Sequence, residues 1–383
     1  KPVGKEDTVK LEKTYKPVPK GLSLVIGCAT FPVWNSMPGL FGDLITGNTA
    51  LFKPHPESVL PLALIIAEIQ KAAKKHGYNP LIAELAADTQ DHLLTKDLAE
   101  HDDVHVIDFT GSSQMGEYIE SLINRGKTVF TEKAGINSVI LDSMDDLKGS
   151  MQNLSFAVSL YSGQMCTAPQ NFYIPENGIQ AGGEHISYED TVDALKEAIS
   201  GLASHPKMGH NVLGAVHDEK TLERANNAES IGGRLIRKAE PIAHPDFPNA
   251  RTCSPAIIEV DAKDRDKYEQ ELFGPVIVVV KTKSTEESVS IAKELSGRKG
   301  AITCAAYTTE DKKMDYIEQE MEEAFVPVTF NLLGPGPVAV NQNESFSDFH
   351  VSGGNPAGNA SFTDPDFIVR RFRWIGHKRR VEK

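Results

Sequence analysis

The sequence predicts an α/β fold in which parallel sheets are wound with helices, and three observations carry that expectation. Short apolar runs of strand length alternate with runs of helical period from residue 22 onward, the pattern of a parallel sheet covered on both faces. The alternation starts afresh after Glu132, so a second α/β unit follows the first. The chain has 383 residues, 40% hydrophobic and 24% charged, enough for roughly two or three domains with sizeable cores.

The elements follow in order. Residues 8–15 alternate as an exposed hairpin strand does. Residues 22–29 form an apolar strand, from which FPVWNSMPG runs as a loop into a short helix at 40–45. A second strand at 49–52 closes on Lys53-Pro54. Residues 58–76 carry apolar side chains at 62, 65, 66, 69, 72 and 73, one helical stripe that stops at Gly77. Strands at 81–85 and 104–109 flank a polar helix at 92–100, a helix starts at 111, and 128–131 is another strand. In the second unit helices are expected at 145–161, 188–202, 220–228, 285–295 and 311–323, with strands at 256–260, 276–280 and 301–307. Residues 180–185 and 239–249 read as surface insertions. Residues 367–375, FIVRRFRWI, favour a strand without an evident partner, one that could complete a sheet across subunits.

Composition narrows the function. A net charge of −13 argues against a nucleic-acid partner. The four cysteines, Cys28, Cys166, Cys253 and Cys304, are widely spaced without a CxxC pair. That pattern is neither a disulfide framework nor a zinc site, and it points to a reducing, cytoplasmic setting with no metal. No apolar run reaches the ~20 residues of a membrane span. The first residues lack the apolar core of a signal peptide.

Five places carry residue types suited to chemistry. Cys166 sits where a helix-like run breaks at Ser162-Gly163 and an extended segment follows, held yet reachable, as a nucleophile must be. The plainer alternative is a packed, inert thiol; Cys28, Cys253 and Cys304 are read that way. Asn35, after Trp34, offers a side-chain N–H to an oxyanion, or else satisfies a local turn. Gly111 and Ser112 join a strand to a helix, suited to a phosphate or simply to capping. Glu132 ends a strand where ligand crevices form and could activate water; otherwise it is an exposed partner of Lys133. Glu271 and Phe273 precede a Gly-Pro turn, as a ligand clamp or as ordinary turn and core.

Together these motifs resemble the aldehyde dehydrogenase superfamily over nearly the whole chain from about Gly21. VWNSMP, GNTALFKP, FTGSS, TEKAG, GQMC and ELFGP stand here in the order in which that family carries its P-W-N loop, Lys-Pro strand end, helix start, base, nucleophile and E-x-F-G-P turn. The resemblance implies an aldehyde-dehydrogenase-like fold with a Rossmann-type dinucleotide domain, an α/β catalytic domain and oligomerisation strands. It implies Cys166 as nucleophile, Asn35 in the oxyanion hole and Glu132 as general base. Trp34, Lys53, Gly111, Ser112, Glu271 and Phe273 would line the NAD or NADP site, Lys53 at the adenosine ribose and Glu271 at the nicotinamide ribose.

The tail, residues 340–364, is similar to the phenylacetic acid degradation (PaaN-type) branch, which implies an aldehyde or semialdehyde from aromatic catabolism, possibly CoA-linked. The implied division is 1–20 and 366–383 for oligomerisation into a homodimer or homotetramer, and 21–133 for the dinucleotide. Residues 134–345 would be catalytic and 346–365 a loop near the active site. An N-terminal part of the dinucleotide domain is expected upstream of this chain. Two departures stand out. Pro56 replaces the carboxylate usual three residues after the ribose lysine, which opens the site to NADP, and LAADTQDH (85–92) replaces a Gly-rich turn. A CoA-acylating enzyme and a catalytically silent scaffold are the rival functions.

Overall fold

The computed structural model describes residues 9–133, 135–334, 354–359, 361–362 and 364–381. They belong to two compact units, one of Lys1–Thr110, Met115–Thr131 and Thr363–Lys383, the other of Gly111–Gln114 and Glu132–Phe362.

The first unit contains β1 (Leu11–Pro19), β2 (Leu22–Ile26), α1 (Pro32–Ile45), β3 (Thr49–Lys53), α2 (Val59–Lys75) and β4 (Ala83–Leu85). It continues with α3 (Thr95–Glu100), β5 (Val104–Gly111), α4 (Ser113–Ser121) and β6 (Thr128–Lys133), of which Gly111, Ser113–Gln114 and Glu132–Lys133 count with the second unit. The sheet order is β4-β3-β2-β5-β6, with β2 parallel to both β3 and β5 and β3 parallel to β4. Strand order reverses at β2, the switch point of a doubly wound sheet, where ligands bind beyond the strands' C-terminal ends. Side chains alternate between faces: Leu24 and Ile26 pack with Ile107 and Phe109, Val25 with Leu40, Phe52 and Leu62.

Three local expectations are corrected. Trp34 and Asn35 lie inside α1, because Pro32 at its first turn starts the helix eight residues before the expected Leu40. The helix expected from His92 begins only at Thr95. Strand β6 runs to Lys133, so Glu132 is a strand residue, its backbone bridged to Gly358.

The second unit holds β7 (Ser138–Leu141), β8 (Ser143–Met144), α5 (Leu147–Ser159), β9 (Asn171–Pro175), β10 (Ile179–Ala181), β11 (Glu184–Ile186) and α6 (Tyr188–Ala203). Then come α7 (Gly209–Leu213), α8 (Glu219–Asn226), β12 (Arg234–Arg237), β13 (Ala256–Asp261), β14 (Val276–Thr282), α9 (Thr285–Lys299), β15 (Cys304–Tyr307), α10 (Asp311–Glu322) and β16 (Val328–Phe330). Its main sheet is ordered β12-β13-β14-β9-β7-β15-β16 and is parallel except for β12. Burial on both faces explains the unbroken apolar run of β14: Val276, Val278 and Val280 enter one core, Ile277 and Val279 the other. Side-chain caps on Asp146, Ser187 and Ser284 start α5, α6 and α9. The expected insertion at 180–185 is a hairpin, β10 to β11, turning on Gly182 and Gly183, both at positive φ.

The chain returns to the first unit through a short helix, Pro365–Val369, and β17 (Phe372–Arg380), which pairs antiparallel with β1 from Leu11↔Arg380 to Pro19↔Phe372. The strand expected at 367–375 therefore divides in two and finds its partner within the chain. Arg371 is the dividing residue. It is fully buried, donates to Phe367 O at 2.8 Å, and reaches Asp43 at 2.6 Å and Asp108 at 2.6 and 2.7 Å. Among the described residues no helix is long and apolar enough to cross a membrane.

Candidate active site

Three neighbouring parallel strands of the second unit, β14, β9 and β7, begin along one edge of their sheet. The segments leading into them carry Glu271, Cys166 and Glu132, so the register of one sheet gathers residues far apart in sequence. Cys166 is half-buried and its Sγ lies 3.9 Å from Glu132 Oε1. Glu132 is only 5% exposed, which removes the reading of it as a solvated surface residue. A crevice lined by Gly163, Met165, Cys166, Asn137, Glu271 and Phe273 opens beside the thiol.

The cysteine loop owes its shape to backbone geometry. Helix α5 ends at Ser159, and Tyr161, Ser162 and Gly163 take left-handed φ of 58°, 55° and 63° in succession. Two of the three carry side chains that disfavour this region, so the surroundings must hold it. Ser162 Oγ donates to Leu213 O. Gln164 Nε2 donates to Tyr161 O and Ala215 O, both at 2.9 Å, and its Oε1 accepts from His217 N at 2.7 Å. Gly163 is required by space as well, since a Cβ there would lie 2.7 Å from Gly274 O.

Asn137, singled out by no motif, is the central clamp. It is buried; Nδ2 donates to Cys166 O at 2.7 Å and Ala168 O at 2.9 Å, while Oδ1 accepts from Ile302 N and Thr303 N. Gln170 does the same for the next strand, accepting from Leu272 N at 2.6 Å and donating to Gln270 O at 3.0 Å. The only sequence signal for either was a polar residue set directly before an apolar strand.

Glu271 is largely enclosed. Burial pushes its carboxyl up to about 7, with Ser113 Oγ at 3.4 Å and the Arg224 charge working against that rise. Arg224 also donates to Phe273 O, fixing the turn so that half-buried Phe273 lines the crevice. Gly111 ends β5, and exposed Ser112 precedes α4. Of the segment 346–365, residues 346–353, 360 and 363 lie outside the described residues. Ala357 O accepts from Lys133 N at 2.6 Å, next to the Glu132–Gly358 bridge.

The first unit carries Trp34, Asn35 and Lys53. Trp34 is 52% exposed, whereas Asn35 is buried, with Oδ1 4.0 Å from Cys28 Sγ. Lys53 ends β3 as expected, but its ammonium is buried and paired at 2.8 Å with Asp88, which no motif had singled out. Cys253 and Cys304 are buried, and burial pushes the thiol up to about 11 and about 12 respectively, so both are inert core residues.

A family model described as "Aldehyde dehydrogenase family" matches residues 4–332. The chain is 26% identical to an alpha-ketoglutaric semialdehyde dehydrogenase of Bacillus subtilis (strain 168) over 327 residues, 83% of this chain and 63% of that protein. It is 25% identical to a 1-pyrroline-5-carboxylate dehydrogenase of Bacillus cereus (strain ATCC 10987 / NRS 248) over 365 residues, 92% of this chain and 65% of that protein. It thus spans less than two thirds of the length of these curated relatives. The crystal structure of an NAD-dependent aldehyde dehydrogenase from Burkholderia multivorans superposes with a TM-score of 0.94 at 40% identity, covering 100% of this chain and 68% of that one.

Proposed function

The chain belongs to the aldehyde dehydrogenase family, and from that premise we propose that it oxidises an aldehyde to the acid with NAD, through a thioester on Cys166. One observation carries this reading: the Cys166 thiol and the Glu132 carboxylate lie 3.9 Å apart, with a crevice opening beside the thiol. As a thiolate, Cys166 adds to the aldehyde carbon, forming a C–S bond and leaving an oxyanion on the former carbonyl oxygen. Asn35 is the proposed side-chain donor to that oxyanion, a role that rests on the motif order. When bound, the nicotinamide supplies the hydride acceptor. Glu132 then takes a proton from water, whose oxygen attacks the thioester carbon, releasing the acid and restoring the thiolate.

The cofactor residues fit this reading. Lys53 is the proposed ribose residue, with Gly111 and Ser112 near the pyrophosphate. Glu271 and Phe273 are proposed for the nicotinamide end, Trp34 for the wall of the site. A buried carboxylate oxygen beside Lys53, Asp88 Oδ1, finds no hydrogen-bond partner among the described residues and suits a sugar hydroxyl. For the substrate we propose a semialdehyde of aromatic catabolism, on the resemblance of the tail to the phenylacetate branch. The exposed β1/β17 ribbon is the proposed contact of a homodimer or homotetramer, and four free thiols accord with a cytoplasmic setting.

The test follows NAD reduction over a panel of aromatic, aliphatic and CoA-linked aldehydes, with acid release measured with and without free CoA. The expected result is CoA-independent acid release, abolished in Cys166→Ser with NAD binding retained. A strict CoA requirement, or an undiminished Cys166→Ser, would overturn the proposal.

A further inference from the structure

We propose that Asp88 is the residue that selects the cofactor, by accepting from the 2′-hydroxyl of the adenosine ribose and so disfavouring a 2′-phosphate. The inference rests on the dinucleotide reading of the first unit and deepens it.

Lys53 ends β3, and β4, its parallel neighbour, leads within three residues to Asp88. Both side chains are buried, 4% and 0% exposed, with Lys53 Nζ and Asp88 Oδ2 2.8 Å apart. Asp88 Oδ2 also accepts from Leu94 N at 3.0 Å, so the carboxylate closes the turn from 88 to 94 on itself. Its other oxygen, Oδ1, is buried without a hydrogen-bond partner among the described residues. A dry carboxylate oxygen left unsatisfied is costly, and a hydroxyl donor removes that cost.

Position supplies the second half of the argument. In doubly wound sheets the ribose hydroxyls are bound past the end of the strand adjoining the first, here β3, which ends on Lys53, and Asp88 reaches that lysine from β4, one strand further out. Pro56 leaves no carboxylate three residues after Lys53, and Glu57, the next residue, is exposed and accepts from Gln90. Asp88 therefore gives the Lys53 ammonium a partner from the neighbouring strand. The pair carries no net charge with which to attract a phosphate, and it sets a carboxylate where a 2′-phosphate would stand. The turn above it, held by the Thr89–His92 bridge and by the hydrogen bonds of Leu94 to Asp88 and of Gln90 to Glu57, exposes Gln90, Asp91, His92 and Leu93.

Titration calorimetry on the full chain tests this without turnover, using NAD, NADP, ADP-ribose, 2′-phospho-ADP-ribose and 2′-deoxy-NAD. Wild type is expected to bind NAD at least about tenfold more tightly than both NADP and 2′-deoxy-NAD, the scale of one charge-assisted hydrogen bond. In Asp88→Asn the NAD/NADP ratio is expected to fall by about tenfold or more, whereas Glu57→Gln leaves it unchanged. The wild-type comparison of NAD with 2′-deoxy-NAD stands even if Asp88→Asn does not fold. Equal binding of NAD, NADP and 2′-deoxy-NAD overturns the role of Asp88 and leaves the dinucleotide reading intact, as does a ratio that moves with Glu57→Gln instead. Binding of none of the five overturns the dinucleotide reading and the Asp88 role together.

Discussion

Arg371 in the first unit and Cys166 in the second are both held from several directions, yet they are held differently. The Arg371 guanidinium is fully buried and closed by Asp43 and Asp108 at 2.6 Å. Phe130 and Phe367 stack on it at 4.3 and 4.4 Å. The helix above approaches so closely that a Cβ on Gly39 would lie 2.7 Å from the Asp108 carboxyl carbon. At Cys166 the hydrogen bonds run to the backbone instead, from Asn137 to the cysteine's own carbonyl and from Gln164 to the turn before it. The thiol itself is half-buried beside a crevice, with Glu132 Oε1 at 3.9 Å. Charge pairing around a sealed side chain makes structure, whereas hydrogen bonds to the backbone around Cys166 fix where its thiol stands beside Glu132.

The contrast is broken most severely at the carboxylate beside the thiol. Glu132→Gln is expected to slow steady-state turnover by about 10²–10⁴-fold while leaving a first burst of NADH, because the base proposed there serves the water-activating step alone. Stopped-flow absorbance reads both phases, and a lost burst with normal steady-state rate would sink the assignment. Next is the sealed cluster. Arg371→Met leaves two carboxylates buried without their cation and is expected to destabilise the chain by about 3–5 kcal/mol. Urea unfolding measures that change, and an unaltered midpoint would show the cluster to be dispensable.

The smallest effect sharpens the comparison at a third group, a carboxyl that is largely enclosed. Burial pushes Glu271 up to about 7 from an ordinary 4.5, so the folded chain keeps a proton that the unfolded chain has lost between those values. Folded-state proton uptake exceeds that of the unfolded state there, and this group's contribution to stability therefore declines as pH rises through that window. Affinity for NAD should move the other way, strengthening through pH 7 as the carboxylate forms and accepts from a ribose hydroxyl. Glu271→Gln is expected to flatten both profiles in thermal unfolding and in calorimetry. Profiles identical to wild type would remove Glu271 from the site.

Particular residues show how far the chain could be read before folding. The doubly wound sheet was legible because β2, β3 and β5 are apolar runs separated by helical stripes, a local signal at strand and helix periods. Cys166, Glu132 and Glu271 were legible as motifs, although nothing local said that the strands following them, β9, β7 and β14, lie side by side. Asn35 was misplaced in a loop because a proline reads as a breaker until its position in the first turn is known. Asp88 was hidden inside a segment read only as an unusual turn, and its meaning depends on Lys53, on another strand. The pairing of β1 with β17 joins the two ends of the chain, and no window of sequence contains both.

The sequence alone determined the class of fold, the elements of each unit and the residue types available for chemistry, because backbone propensity and side-chain periodicity act over a few neighbouring residues. The tertiary structure decided which of those residues meet. Cys166, in the segment before β9, meets Glu132 on β6, 34 positions earlier, at 3.9 Å, and burial sorts ammonium, guanidinium and carboxyl groups into partners. Desolvation and close approach depend on distances in space, and those exist only once the sheets have formed.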